Sequence, residues 1–311
     1  MKSIAFLFPG QGAQYVGMGK DLYENFAESK KVFDIGEEIL GEPLREYCFN
    51  GPIERLKATS ICQPAVFAVS IASFYTFSLK FNLKPAYVLG LSLGEYSALV
   101  AAGVVSLKDG FRLVKYRAEL MQKQAEKFSG KMSAILGLDI EEIKKICNVY
   151  DNVYIANINA PGQIVISGDK ENVDLVKQLC LERGASKVID LEVSAAFHSP
   201  YMHNIAEEFR RFLRNIEFLP AQIPIVSNID AFPRRKPEQI KEALVRQLYS
   251  PVLWQDSILF LLKQGIIKFY EFGPGRVIKG LMRRISPEAE VINIEKSQDI
   301  YCFQEILNNC S

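Results

Sequence analysis

The sequence is poor in histidine and has almost no net charge, and both shortages limit the chemistry open to it. Only two histidines, His198 and His203, occur in 311 residues. The formal net charge is +1, which suggests neither a nucleic-acid binder nor a membrane-surface protein. Any charged partner would therefore have to be met by a local patch of side chains.

Cysteine is scattered, and no CxxC pair occurs. This spacing argues against both a zinc site and a disulfide framework. We therefore expect no metal site and a reducing, cytoplasmic location. The six cysteines are Cys48, Cys62, Cys147, Cys180, Cys302 and Cys310.

Long hydrophobic runs are also scarce. The apolar opening at residues 4–8 ends at Pro9 and Gly10 and is too short for a signal-peptide core, and we expect no segment to approach a membrane span. With 49% hydrophobic and 23% charged residues, the chain has the composition of a soluble globular protein of one large or two smaller domains. We interpret residues 2–8 as a first buried strand.

Strand-like apolar runs alternate with helical patterns along the chain, which is typical of an α/β protein with a parallel sheet. The middle of the chain departs from this alternation and predicts the order β-α-β-β-α-β, the ferredoxin-like arrangement. Its predicted strands are 132–138, 153–158, 164–167 and 187–193, and its predicted helices are 140–150 and 171–183. We therefore predict a small subdomain at 128–195, inserted into a large subdomain formed by 1–127 and 196–311.

The segment Gly90-Leu91-Ser92-Leu93-Gly94 has the pattern of a nucleophile elbow, GxSxG. A short apolar run precedes it and a run of helix formers follows it, as that motif requires. Ser92 would then lie at a helix N-terminus, where free amides can hold an oxyanion. The alternative is a surface serine in a glycine-rich loop.

A nucleophilic serine needs a base, and the scarcity of histidine narrows the choice. His198 lies in a loop that opens into a predicted helix, where catalytic groups are often held, whereas His203 lies one turn into that helix. We favour His198 as the base over a purely structural histidine.

Arg117 is the second informative charge. Its neighbours three and four residues away in the predicted helix 107–125 are apolar: Leu113, Val114, Leu120 and Met121. A buried cation requires an anion, which would be either an internal carboxylate or the carboxylate of a ligand. A snorkelling side chain is the remaining alternative.

Two glycine-rich turns have weaker signals. The first, at residues 8–14, lacks the spacing of a nucleotide-binding loop, so we reject nucleotide binding. The second, Gly273-Pro274-Gly275, precedes a helix with four cations, which form either a solvated face or a basic patch for an acidic partner. These cations are Arg276, Lys279, Arg283 and Arg284.

Taken together, these motifs resemble those of the malonyl-CoA:acyl carrier protein transacylases and, more broadly, the acyltransferase domains of polyketide synthases. The resemblance runs over nearly the whole chain. Besides the elbow, it rests on segments 8–12, 63–65, 159–163, 197–199, 247–252 and 271–275 and on Arg117. It implies an α/β-hydrolase-like large subdomain with a ferredoxin-like small one.

The resemblance also implies roles for individual residues. Ser92 would take the acyl group from coenzyme A as an ester, with His198 as general base and acid, and pass it to the phosphopantetheine thiol of an acidic acyl carrier protein. Arg117 would pair with the malonyl carboxylate, and Gln247 would orient His198 through its backbone carbonyl. The other implied sites are the oxyanion hole (Gln11 and Leu93), the substrate pocket (Met121, Asn159, Phe197 and Val277) and carrier docking (Lys279, Arg283 and Arg284).

On this basis we expect a monomeric cytoplasmic enzyme with malonyl-CoA as substrate, no permanently bound cofactor, and no nucleic-acid or membrane partner. The alternatives are a freestanding acyltransferase of a polyketide synthase, a serine esterase or thioesterase, and a non-catalytic carrier-binding module. One departure from the family pattern stands beside the nucleophile: Leu91 occupies a position that is usually histidine.

Overall fold

The computed structural model describes residues 3–193 and 195–310, with side chains described up to residue 305. Lys2 of the predicted first strand and Ser194 of the predicted small subdomain lie outside the described residues. Two β-sheets organise the fold, and elements are numbered in chain order.

The larger sheet, sheet A, is parallel across five strands and ends in one antiparallel strand. Its strands in spatial order are β10 (Glu290–Ile294), β9 (Lys268–Phe272), β1 (Ile4–Phe8), β2 (Tyr87–Gly90), β7 (Ile225–Val226) and β8 (Pro233–Arg234). Alternate residues of β1 enter two separate cores, Phe6 and Phe8 on one face and Ala5 and Leu7 on the other. Sheet A is therefore covered by helices on both faces, as a parallel sheet requires.

The face of sheet A that bears Phe6 carries most of the helices. Its principal helices are α1 (Lys20–Asn25), α2 (Ala27–Leu40), α3 (Leu44–Phe49), α4 (Ile53–Lys57), α5 (Thr59–Lys80), α6 (Gly94–Ala101), α7 (Leu107–Lys127), α10 (Ala206–Leu213), α11 (Pro237–Gln247) and α14 (Ser297–Cys310). The opposite face is covered by α12 (Trp254–Lys263) and α13 (Val277–Ile285).

The smaller sheet, sheet B, confirms the ferredoxin-like prediction. Its strands are all antiparallel and lie in the order β4 (Val153–Ala160), β5 (Gln163–Asp169), β3 (Gly130–Leu136) and β6 (Lys187–Asp190). Helices α8 (Ile140–Cys147) and α9 (Lys170–Glu182) pack on it around a separate core. This unit falls within the predicted 128–195 segment, and backbone hydrogen bonds between β4 and Val252 join it to the larger unit.

Two sequence-based expectations were wrong. Helix α5 is long and apolar enough to cross a membrane, whereas we expected no such segment; 78% of its most apolar stretch is buried inside the protein, as in the core helix of a globular domain. The helix expected after Pro200 begins instead as a 3₁₀ helix, Pro200–Ile205, which holds His203, and becomes α-helical only at Ala206.

Candidate active site

Ser92 stands at a sharp turn between β2 and α6 and has a left-handed backbone, with φ of 51°. The turn is possible only because its flanks have no side chains. A Cβ on Gly90 would lie 1.8 Å from the carbonyl carbon of Gly94, and a Cβ on Gly94 would lie 2.1 Å from the carbonyl oxygen of Phe8. The two glycines therefore allow the tight reversal that presents the serine hydroxyl.

His198 is buried in the loop between β6 and the 3₁₀ helix, also with a left-handed backbone (φ 56°). Its Nε2 lies 2.8 Å from Ser92 Oγ, and its Nδ1 lies 2.8 Å from the backbone carbonyl oxygen of Gln247. A carbonyl only accepts, so Nδ1 carries the proton and donates it, which leaves the Nε2 lone pair for the serine hydroxyl. This is the geometry of a serine with its general base.

Burial and, to a smaller extent, the positive charge of Arg117 together lower the pKa of His198 to about 4, against the opposing effect of the hydrogen bond to Gln247. The imidazole is therefore neutral at pH 7 and able to accept a proton.

Arg117 is fully buried on α7, so it does not snorkel to solvent. Its Nη1 donates to Gln63 Oε1 at 2.6 Å, and its Nη2 donates to Ser92 Oγ at 3.0 Å and to Gln247 Oε1 at 3.1 Å. Its guanidinium carbon lies 5.2 Å from the centre of the Tyr96 ring. Among residues 3–193 and 195–305, no carboxylate forms an ion pair with it, so its immediate partners are all neutral.

Burial also lowers the pKa of Arg117 from its ordinary value. A cation removed from water and left without an anion is costly, and such a group gains most from a ligand that brings a negative charge. The sequence left open an internal carboxylate as the partner of Arg117, but no carboxylate among the described side chains contacts it directly.

Three further polar residues support the elbow, and the sequence motifs did not single them out for this role. Asn228 accepts from the Ser92 backbone N–H at 2.7 Å and donates to the Gly90 carbonyl at 2.8 Å. Gln247 Nε2 donates to the Ser92 carbonyl at 3.0 Å and to the buried Glu95 carboxylate at 2.6 Å. Burial raises the pKa of Glu95 and outweighs the hydrogen bonds from Gln247 and Asn228, which lower it, so that the pKa is about 7.

The sequence provided partial evidence for some of the residues that contact Arg117 or support the elbow and none for others. Gln63 falls within segment 63–65 and Glu95 directly follows the elbow, but nothing in their spacing showed what they would contact. Asn228 is 136 residues from Ser92 and carries no local signal at all.

A cavity of about 450 Å³ opens over Ser92, between sheet B and the larger unit. The predicted pocket and oxyanion residues all line it: Gln11, Leu93, Met121, Asn159, Phe197 and Val277. Within the described residues, the backbone N–H groups of Gln11 and Leu93 donate to no acceptor. Two donors free to bind an oxygen therefore lie in the cavity wall beside Ser92.

Leu91 also lines the cavity and is 8% exposed. Its side chain joins the apolar core beneath α12 and α13. Its carbonyl oxygen would lie 2.4 Å from a Cβ on Gly10, which explains the glycine there. The position beside the nucleophile is therefore an apolar wall in this chain.

The predicted docking cations lie outside the cavity lining, at the start of α13 and along it. Arg276, Arg283 and Arg284 are exposed, and Lys279 is half-buried. No salt bridge joins any of the four to a carboxylate in the part of the chain whose side chains are described. We call these four residues the α13 basic face.

Comparison with known proteins identifies the family of this chain. Residues 5–277 match the family described as acyl transferase domain. A malonyl CoA-acyl carrier protein transacylase of Bacillus subtilis (strain 168) is 41% identical over 304 residues, covering 96% of each chain.

Solved structures agree as well. An acyl carrier protein S-malonyltransferase from Vibrio cholerae has a TM-score of 0.93 at 39% identity, covering 97% of this chain and 99% of that one. A malonyl-transacylase in complex with a type II polyketide synthase acyl carrier protein has a TM-score of 0.94 at 37% identity, covering 98% and 99%. The resemblance inferred from the motifs is confirmed, and the chain belongs to the acyl transferase domain family.

Proposed function

We propose that this protein transfers a malonyl group from malonyl-CoA to the phosphopantetheine thiol of an acyl carrier protein, through an ester on Ser92. One observation carries the proposal: Ser92 Oγ lies 2.8 Å from a neutral histidine and 3.0 Å from a buried arginine that has no ion-pair partner among residues 3–193 and 195–305. The first contact suits acyl transfer, and the second suits an acyl group that ends in a carboxylate.

In the first half-reaction, Ser92 Oγ attacks the thioester carbonyl carbon while its proton passes to His198 Nε2. The carbonyl oxygen becomes an oxyanion and accepts hydrogen bonds from the Gln11 and Leu93 backbone N–H groups, each worth about 3 kcal/mol in comparable sites. The carbon–sulfur bond then breaks, and coenzyme A leaves as a thiol with the proton from His198.

In the second half-reaction, the carrier's phosphopantetheine thiol gives its proton to His198 Nε2, and its sulfur attacks the ester carbon. The bond to Ser92 Oγ breaks, and the oxygen takes the proton back. The two substrates occupy the same site in turn, so we expect ping-pong kinetics. The Gln247 carbonyl accepts from the Nδ1–H of His198 throughout, so only Nε2 gains and loses a proton.

Arg117 distinguishes this proposal from a simple esterase. A site for neutral esters gains nothing from a buried cation beside the nucleophile, whereas a malonyl group would give that cation its missing anion. Met121, Asn159, Phe197 and Val277 form the surrounding wall, and Asn159 Oδ1 is buried without a hydrogen-bond partner among the described residues.

We further propose that the enzyme supplies fatty acid synthesis, with supply of a polyketide synthase as the alternative. The chemistry is the same in both, and the similarity to a transacylase that works with a polyketide carrier keeps the alternative open. The α13 basic face is the proposed docking site for the acidic carrier. The subdomain boundaries, a monomeric state and a cytoplasmic location stay predictions.

The proposal is tested by mass spectrometry of the intact protein. Incubation with malonyl-CoA should leave one malonyl adduct on Ser92, and addition of holo carrier protein should move that adduct to the carrier. Ser92→Ala should form no adduct, whereas Ser97→Ala, which removes another buried hydroxyl from the same helix region, should keep it. A Ser92→Ala protein that transfers malonyl at the full rate would refute the mechanism.

A further inference from the structure

Glu95 is a buried carboxylate directly behind the nucleophile, and no step of the transfer reaction uses it. It lies one residue into α6 and is 2% exposed. It accepts a hydrogen bond of 2.6 Å from Gln247 Nε2 and a longer one of 3.4 Å from the Asn228 backbone N–H. Among the residues whose side chains are described, no cation lies within ion-pair distance of it.

The Gln247 side chain joins Glu95 to Arg117. Its Nε2 faces the carboxylate, and its Oε1 accepts from Arg117 Nη2 at 3.1 Å. The amide dipole therefore has its positive end towards the anion and its negative end towards the cation. The reverse orientation would set amide hydrogens against the guanidinium and an oxygen against the carboxylate, so only one orientation is compatible with both neighbours.

We propose that Glu95 is a positioning residue, which fixes the Gln247 amide and through it holds Arg117 in place to bind the carboxylate of the acyl group. This inference rests on the proposed malonyl transfer. Glu95 touches no substrate atom in this scheme and acts only through Gln247. Its carboxylate also opposes the buried charge of Arg117 across the amide without forming an ion pair that a substrate would have to break.

A direct ion pair between Glu95 and Arg117 would interfere with substrate binding. A carboxylate bonded to Arg117 would occupy the donors that the substrate carboxylate needs. One amide placed between them keeps the two charges apart while leaving the guanidinium oriented. Hydrogen bonds to a charged group contribute more than neutral ones, so loss of this contact should be measurable.

The test compares Glu95→Gln with the unmodified enzyme, using the rates at which malonyl-CoA and acetyl-CoA load Ser92. Assays at about pH 8.5, above the raised pKa of Glu95, keep this carboxylate ionised in the unmodified enzyme, so that Glu95→Gln keeps the shape but removes the charge. We expect malonyl loading, as kcat/KM, to fall about tenfold, which corresponds to about 1.4 kcal/mol. Acetyl loading should fall less than about threefold, because a neutral acyl group makes no use of Arg117.

A double-mutant cycle separates positioning from general damage. In an Arg117→Ala background, Glu95→Gln should no longer change the ratio of malonyl to acetyl loading, because the residue through which it acts is gone. Glu95→Asp, which keeps the charge, should retain more malonyl selectivity than Glu95→Gln. It is the variant to compare with the unmodified enzyme if Glu95→Gln folds poorly.

Glu271→Gln is the matched control. Glu271 is equally buried, but its carboxylate accepts from the backbone N–H groups of Ile278 and Lys279 at the start of α13 and not from Gln247. Any loss there should be equal for the two acyl groups. Equal losses of malonyl and acetyl loading in Glu95→Gln, or no loss of either, would overturn the positioning role. If the unmodified enzyme loaded no malonyl at all, the proposed function itself would fail, which is a separate outcome.

Discussion

Arg117 Nη2 donates to Ser92 Oγ at 3.0 Å, so the serine hydroxyl lies between a cation on one side and the imidazole of His198 on the other. The two neighbours have different tasks. In the proposed mechanism, His198 accepts the hydroxyl proton, whereas Arg117 faces the space that a short acyl chain on Ser92 would occupy.

The first prediction concerns selectivity. Arg117→Ala should reduce malonyl transfer far more than acetyl transfer, by at least about a hundredfold in their ratio, since a hydrogen-bonded charge pair of about 3 kcal/mol is lost only for the carboxylated group. The measurement is the loading rate of Ser92 with each acyl-CoA. Equal losses for both acyl groups would contradict the carboxylate-binding role.

The second prediction concerns pH. The pKa of His198 is lowered to about 4, so the imidazole should stay neutral well below the ordinary titration range of histidine. Because the chain has only two histidines, a proton NMR titration can follow each imidazole separately. The signal that disappears in His203→Gln belongs to His203, and the other belongs to His198. The His198 midpoint should lie near 4 and should rise in Arg117→Ala, because the positive charge that opposes protonation is removed.

The same shift affects stability. Between about pH 6.5 and 4, the unfolded chain binds a proton at His198 that the folded chain does not bind, so this group lowers the free energy of unfolding as the pH falls. A His198 midpoint at 6.5 or above would show that the ring is not held in a buried, positively charged environment.

The third prediction concerns the turn. Gly90→Ala should lower the free energy of unfolding by at least about 1–3 kcal/mol, because its Cβ would overlap the Gly94 backbone. Gly280→Ala is the control: this glycine is exposed in α13 with no heavy atom within 4 Å of the added Cβ, so a gain of about 0.5–1 kcal/mol is expected. Urea denaturation measures both, and a neutral Gly90→Ala would be inconsistent with the tight elbow.

The fourth prediction concerns the carrier protein. Reversing two charges of the α13 basic face, with Arg283→Glu and Arg284→Glu together, should raise the KM for the carrier about tenfold or more and leave malonyl loading from coenzyme A within about twofold. Lys30→Glu with Lys31→Glu provides the control, since both lysines are exposed on α2, which packs on the opposite face of sheet A. The steady-state rate at varied carrier concentration reports the difference, and equal effects of the two pairs would remove the docking role.

Local sequence patterns were sufficient for the elements and for the sharp turn at Ser92. The GxSxG turn, the individual strands and helices of the sheet B unit and the apolar neighbours of Arg117 all depend on residues within a few positions of one another, and the fold they predict is confirmed. Residues 2–8 illustrate the same point, because a short apolar run ending in Pro-Gly marks β1 without any tertiary information.

Other features depend on distant contacts and could not be predicted in this way. Asn228 supports Ser92 across 136 residues, and Gln247 meets Glu95 across 152. The membrane-length apolar character of α5 becomes interpretable only when its burial between neighbouring helices is known. Likewise, the neutral partners of Arg117 follow from packing and not from its own helix.

The Gln247 carbonyl that holds His198 has a consequence for mutagenesis. Every amino acid carries a backbone carbonyl, so any substitution at 247 that preserves the local path of α11 would still offer an acceptor to the imidazole. A mutational scan of this position would thus report on the contacts of its amide side chain, towards Arg117, Glu95 and the Ser92 carbonyl. The orientation of His198 therefore depends on the backbone conformation at 247 and not on the identity of the side chain there.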